Sequence, residues 1–299
     1  MMRLPPGLHT GIPAEVYHGD PAEEPSLSAS AAWTLLKRSP AHARVDHPRL
    51  NPDFKPEEKA IYDIGSAAHN MVLRQDFWRE EIEVIDADAW RTKAAKEARD
   101  EARAAGRYPI LRDQYEALNA MVSALEQHPQ ASRAFRAGQP EVSMIWKDPE
   151  TGIHLRCRPD WMPDNPEAPK PDYKTTEDAG PDWDRIALRQ HGLRIRAALY
   201  EEGWRQVCGI ARPVLYYVVQ EKSPPYVVSC PVIDPDGANL RYGRAMLRRA
   251  CRVWADCLSS GKWPDNGGVR QVAEPGEWEE RDLHSRYFEY LPQKESSNG

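Results

Sequence analysis

Arg158-Pro159-Asp160, followed twelve residues later by Asp172-Tyr173-Lys174, is the stretch on which the reading of this chain turns. In an extended strand, residues i and i+2 share a face about 7 Å apart. Asp172 and Lys174 therefore project together, while Tyr173 turns its side chain away and leaves its carbonyl at the same edge as a further oxygen donor. Two carboxylates and a lysine in this order suit metal-dependent cutting of a phosphodiester. Hard oxygen donors select magnesium, or else manganese. Coordination lowers the pKa of a bound water from about 15.7 toward 7 in the most favourable zinc case, less for magnesium, and a nearby lysine completes the activation. An Asp-x-Lys triplet is common by chance, so its surroundings decide.

Upstream, Glu141-Val-Ser-Met-Ile-Trp146 alternates as a strand does, and Lys147-Asp-Pro-Glu-Thr-Gly152 punctuates a tight reversal. Ile153-His-Leu-Arg-Cys-Arg158 is the returning strand, with Asp160 at its far end. Residues 163–171, rich in proline and including Asn165, make the next turn into the strand of Asp172 and Lys174. Such a meander brings Glu141, Asp160 and Asp172 onto neighbouring strands. Further upstream, His69 sits in the apolar helical segment Ile64-Gly-Ser-Ala-Ala-His-Asn-Met-Val-Leu73. Taken alone it reads as an ordinary structural histidine. Gly65, Ser66, Ala67 and Ala68 permit close approach of another backbone or of DNA.

In order and spacing, Asp148-Pro-Glu-Thr-Gly-Ile153, Arg156-Cys-Arg-Pro-Asp160, Asp172-Tyr-Lys-Thr-Thr176 and Gly65-Ser-Ala-Ala-His69 closely resemble the nuclease domain of RecE, the phage exodeoxyribonuclease VIII family, a branch of the PD-(D/E)XK superfamily. Gly11-Ile-Pro-Ala-Glu-Val-Tyr17, Leu27-Ser-Ala-Ser30 and Trp263-Pro264 extend the resemblance over nearly the whole chain. It implies that Asp160 and Asp172 bind the metal, with His69 and the Tyr173 carbonyl completing the set. It implies that Lys174 positions or activates the attacking water and that Glu141 supports the ligands or orients substrate. Ser28 and Ser30 fall in the segment that helps contact the DNA end. The chain departs from the pattern at Arg196-Ala-Ala-Leu-Tyr200, where relatives carry glutamine four residues before the tyrosine. An i, i+4 pair shares one helical face, so Arg196 and Tyr200 are expected at the site. Arginine there either clamps a phosphate bidentately or repels the metal. Arg194 belongs to the same basic cluster, with Arg185 and Arg189, placed to meet phosphates.

At 299 residues the chain can build one large mixed domain, and no Gly/Ser-rich linker divides it. The expected organisation is an extended N-terminal segment over 1–26, a single nuclease domain over 27–289 and a disordered tail over 290–299. Five cysteines without a C-x-x-C pair fit a reducing compartment, hence the cytoplasm of a bacterium or a phage-infected host, and give an iron–sulfur cluster no support. The longest apolar run, Val214–Val219, is a buried strand rather than a membrane span, and no signal peptide is visible. Net charge is −6, which at first sight speaks against a DNA-binding protein, but distribution matters more than the sum. Arg241, Arg244, Arg248 and Arg252 recur at helical spacing opposite Leu240, Leu247, Cys251 and Trp254, giving a basic stripe that reads equally as DNA contact or as a solvated face.

Residues 43–59 read as a polar loop. Helices are expected at 88–105, 111–127 and 183–207, with Ser28 or Ser30 capping another through Trp33–Leu36. A strand at 213–220 pairs with an antiparallel mate over 226–232. The expected fold class is mixed α/β, a central mixed sheet flanked by helices. The resemblance further implies digestion of linear double-stranded DNA from its 5′ ends, leaving 3′ single strands for an annealing protein of the RecT type, by a homo-oligomeric ring around the duplex. Alternatives are a Cas4-like or endonucleolytic end-processing nuclease, and a catalytically inactive DNA-binding relative.

Overall fold

Caps and glycines set where the elements begin and end. The computed structural model describes residues 3–55, 64–73 and 82–265, with 277, 280, 281, 284 and 285 beyond. The chain divides into Met1–Pro264 and Asp265–Gly299. In the second unit, Arg281 Nε donates to the Glu277 carbonyl at 3.1 Å within helical backbone. The first unit runs β1 (Gly7–His9), α1 (Ala14–His18), α2 (Ala29–Lys37), α3 (Pro40–Val45), α4 (Ile64–Leu73), β2 (Ile82–Ile85), α5 (Lys93–Ala104), β3 (Tyr108–Leu111), α6 (Arg112–Gln127), β4 (Gly138–Pro140), β5 (Ser143–Lys147), β6 (His154–Cys157), β7 (Trp161–Pro163), β8 (Lys170–Thr176), α7 (Trp183–Gln190), α8 (Leu193–Cys208), β9 (Leu215–Glu221), β10 (Val228–Ser229), β11 (Val232–Ile233) and α9 (Ala238–Ser260). Ser28 caps α2 by accepting from the Ala31 N–H, and Ser39 caps α3 ahead of Pro40, whose missing N–H costs nothing at a helix start.

Two sheets carry the site. β5 and β6 form the expected hairpin, closed where the Asp148 N–H donates to the Ile153 carbonyl at 2.8 Å, and β1 adds antiparallel to β5. β8 runs parallel to β9, with Asp172 opposite Tyr217 and Lys174 opposite Val219, while β10 and β11 lie antiparallel on β9. The period of two along β9 sorts its side chains between two cores. Tyr217 and Val219 pack with Leu199, Trp204 and Trp254 of α8 and α9; Val218, with Tyr173 of β8, packs with Met71, Leu118 and Met121 of α4 and α6. Helices therefore cover both faces of a mixed α/β fold. Among the described residues no helix is long and apolar enough to cross a membrane, and all five cysteines are free.

Several expectations need correction. The meander is not one continuous sheet: β7 pairs with β4, and β8 takes β9 as its strand partner. The helix expected over 183–207 is two, because Gly192 has φ +69 and a Cβ there would lie 2.7 Å from the Trp33 ring. The mate over 226–232 is broken into β10 and β11 around Cys230-Pro231, proline having no N–H for the ladder. Residues 1–26 hold β1 and α1 rather than extended chain alone, and the loop begins within α3. The helix expected over 88–105 spans only Lys93–Ala104, whereas α6 matches 111–127 closely. Residues 56–59 of the loop and the tail over 290–299 lie outside the described residues.

Three of the four arginines in the α9 stripe are already paired with acids. Arg244 bonds Glu201 through two nitrogens, Arg252 bonds Glu150, and Arg248 reaches both Asp148 at 2.5 Å and Glu202 at 2.9 Å. It ties α9 to the β5–β6 turn and to α8, which is a structural use of charge.

Candidate functional site

Strand β8 carries Asp172 and Lys174 on one side, and Asp160 enters from the link between β6 and β7. Asp160 Oδ2 accepts the Tyr173 N–H at 2.7 Å, so the carboxylate is held by the backbone of the strand it serves. The Asp160 carbonyl in turn accepts the Glu141 N–H at 3.0 Å. Lys174 Nζ donates to the Tyr173 carbonyl at 2.9 Å, lies 3.4 Å from Asp160 Oδ2 and touches Asp172 Oδ2. From α4, His69 Nε2 faces Asp160 Oδ1 at 3.2 Å. The structure thus brings Asp160, Asp172, the Tyr173 carbonyl, Lys174 and His69 around one point.

The electrostatics of the two carboxylates diverge. Burial alone would raise Asp160, but the Lys174 ammonium and His69 hold it well below the usual carboxylate range. Burial and the charge of Asp160 push Asp172 up, with Lys174 and Arg196 opposing only in part. Burial would lower His69, yet Asp160 overrides it and the imidazole pKa rises. Neither buried oxygen of Asp172 accepts a hydrogen bond of normal geometry, although Oδ2 meets the ammonium. Carboxylates forced together in this way call for a cation. Three oxygen donors and one imidazole suit magnesium or manganese, so the residues fit the expected ion. Among the described residues no three His, Cys, Asp or Glu side chains already form a ligand cluster; the lysine ammonium sits among the oxygens where a cation's charge is needed.

The other expected residues divide. Glu141 lies just before β5 with φ +50, and its charge acts on both His69 and Arg158, so it borders the site, tied to Asp160 through its backbone N–H. Arg196 is half-buried on the first turn of α8 and feels Tyr200, Asp172 and Asp160. Tyr200 is turned inward, donating its hydroxyl to the Arg158 carbonyl at 3.0 Å. Arg194 points elsewhere: its Nε donates to Asn239 Oδ1 at 2.8 Å on α9. Ser28 and Ser30 bond each other at 3.0 Å, and Ser28 is occupied as a helix cap. Arg185 pairs with Asp182 at 3.3 Å on the surface.

Two features were not foreseen. Tyr17 of α1 comes in beneath Arg158, whose guanidinium carbon lies 4.3 Å from the ring centroid. Asp20, fully buried with φ +61, accepts from Ser26 N–H and Oγ and lies 3.1 Å from Arg156 Nη1 and 3.3 Å from His47 Nε2. Because Arg156 also donates to Ser26 Oγ at 2.7 Å, this network fastens the N-terminal segment to β6, the strand that delivers Asp160. The stacking of Tyr17 on Arg158 and the reach of Arg156 to Asp20 and Ser26 have no local signal, since each joins residues more than a hundred positions apart.

Fold and site together define a domain of the PD-(D/E)XK nuclease superfamily. The chain belongs to the family described as a PDDEXK-like domain of unknown function (DUF3799), whose model matches residues 28–274. Its fold is similar to the crystal structure of a candidate exonuclease from Eubacterium rectale, with a TM-score of 0.57 and 12% identity over 91% of this chain and 98% of that one. A solved structure of SSO0001 matches at a TM-score of 0.32 and 10% identity, over 80% and 81% of the two chains, a likeness too slight to argue from. No curated protein matches the chain.

Proposed function

We propose that this protein is a metal-dependent nuclease of the RecE type that degrades linear double-stranded DNA from its ends, 5′ to 3′, and leaves 3′ single strands for an annealing protein of the RecT type. The observation that carries the nuclease reading is the convergence of Lys174 Nζ on Asp160, Asp172 and the Tyr173 carbonyl, with His69 behind Asp160. Polarity and partner rest on the sequence resemblance.

Asp160, Asp172, the Tyr173 carbonyl and His69 Nε2 would hold magnesium or manganese. Bound there, the ion supplies charge neutralisation for the phosphoryl group and an acidified water. Lys174, on the same side of β8, presents ammonium donors that orient the attacking water and favour the charge developing on the phosphate. The Tyr173 N–H fixes Asp160, and the hydrogen bond from Tyr200 to the Arg158 carbonyl steadies the segment that leads into it.

A ring of several copies closed around the duplex accounts for a chain of net charge −6 in which three of the four arginines of the basic stripe are paired internally, because enclosure needs few phosphate contacts.

The deciding experiment is a time course on linear duplex labelled separately at each terminus, beside covalently closed duplex, with magnesium, manganese or EDTA. Loss of the 5′ label first, on linear DNA only and with metal only, is expected. Cutting of the closed duplex would establish the Cas4-like or endonucleolytic alternative, and intact DNA under every metal and pH the inactive one. Lys174→Ala should lower the cleavage rate about 10²- to 10⁴-fold without changing the melting temperature by more than a few degrees; near-normal cleavage would remove Lys174 from the mechanism.

A further inference from the structure

The groups gathered at the site come from two layers. Asp160, Asp172 and the Tyr173 carbonyl belong to the strands and the link between them, whereas His69 is carried by α4, which packs with α6 in the core that also holds Tyr173 and Val218. His69 Nε2 lies 3.2 Å from Asp160 Oδ1, so sheet and helices must keep a fixed separation. Apolar packing is non-directional and does not set such a distance by itself. Hydrogen bonds, with their narrow range of length and angle, do.

Gln220 makes that connection. It is fully buried on β9, two residues beyond Val218 and so on the same apolar face, where an amide is costly unless both its ends are bonded. Both are. Its Oε1 accepts the Tyr173 hydroxyl at 2.6 Å, and its Nε2 donates to the Met121 carbonyl of α6 at 2.6 Å. The Met121 carbonyl can only accept, which fixes which way round the amide sits. A polar bridge therefore runs from β8 through β9 to the helix layer. Its first member is also the hub of the site: the Tyr173 N–H donates to Asp160 Oδ2 at 2.7 Å, its carbonyl accepts Lys174 Nζ at 2.9 Å, and its ring centroid lies 6.3 Å from that of His69.

We infer that Gln220 is a positioning residue of the carboxylate centre: by holding the Tyr173 hydroxyl and the Met121 carbonyl it sets the depth of β8 against α4 and α6, so that His69 reaches the ligands the strands supply. This deepens the nuclease reading, and rests on it only in taking the centre to bind a divalent ion. A core built for packing alone would carry methionine or leucine at 220 and phenylalanine at 173, with no amide and no hydroxyl to satisfy. The fully bonded polar pair instead specifies one arrangement of the layers.

The test is calorimetric titration of manganese into the full chain without DNA, beside thermal melting of the same proteins. Tyr173→Phe keeps the ring near His69 and the carbonyl in place; it and Gln220→Met should each weaken manganese binding about three- to thirtyfold, at or somewhat below the effect of groups that orient metal ligands directly. Each single change also leaves a buried polar group without its partner, so melting temperature falls. The double variant Tyr173→Phe, Gln220→Met decides. With both polar groups gone its melting temperature should return to within a few degrees of the unaltered protein, while its manganese affinity stays low. Affinity that tracks melting temperature across the three variants, recovering with it in the double, marks a packing role and overturns the inference, as does unchanged affinity in both single variants. If the single variants fail to fold, the double variant carries the test by the same criterion. An unaltered protein that takes up no manganese overturns the inference together with the metal-dependent reading. Manganese affinity that depends on Gln220 in a protein that cuts no DNA sinks the nuclease reading alone; metal-dependent cleavage with unchanged affinity in all three variants sinks this inference alone.

Discussion

Asp20 is fully buried and gathers Ser26, His47 and Arg156, with Arg49 Nη1 at 3.6 Å. Burial alone would raise its pKa, but the hydrogen bond from His47, the charge of Arg156 and the bonds from Ser26 hold it far below the ordinary carboxylate range. A carboxylate whose folded pKa is depressed contributes stability that is present above its unfolded value, near 3.9, and is lost as pH falls toward the folded one. Melting temperature should therefore decline progressively from about pH 5 downward. Asp20→Asn keeps the shape and tolerates the positive φ, so it isolates the charge. Removing one partner of a buried ion pair costs about 3–5 kcal/mol, and the variant should show that loss at pH 7, measured by denaturant unfolding, with a flatter acid limb. An unchanged acid limb would show that other carboxylates control it.

At the scale of elements, the close crossing of α8 and α9 depends on Gly243. A Cβ there would lie 2.3 Å from the Arg194 carbonyl oxygen, which is backbone and cannot swing aside. Helix propensity alone favours Gly243→Ala by roughly 0.5–1 kcal/mol, but forcing the helices apart costs typically 1–3 kcal/mol. The clash wins, and the substitution should destabilise by about 1–2 kcal/mol in chemical denaturation. Because α8 carries Arg196 and Tyr200, cleavage should fall in the same variant more than its loss of stability accounts for; a stabilised, fully active protein would mean that the helices are free to separate. β8 shows the complementary case. Its strand character and the shared side of Asp172 and Lys174 were legible from alternation alone, whereas its pairing with β9 was not, since parallel partners are joined through α7 and α8 and leave no turn signature between them.

Over the whole molecule, charge pairing decides which arginines are available. Arg244 and Arg252 stand on an exposed face yet bond Glu201 and Glu150. Exposed pairs contribute only about 0–1 kcal/mol. Replacing both arginines by alanine should leave duplex affinity within about twofold and the salt slope unchanged, measured by equilibrium titration of fluorescent linear duplex in EDTA; a loss of about tenfold or more would return α9 to the DNA interface. Local chemistry written into short segments, namely the carboxylates 160 and 172, the lysine two residues on, the small-residue helix before His69 and the hairpin turn at Asp148, was determined by the sequence itself, because spacing along a strand or helix places those groups without reference to distant chain. The partnership of Tyr17 with Arg158, the Asp20 network, the inward turn of Tyr200 and the pairing of three α9 arginines with acids were decided only by tertiary structure. Each joins elements far apart in the chain, and a charge or hydroxyl has the same local sequence whether its eventual partner is an acid, a backbone carbonyl or open solvent.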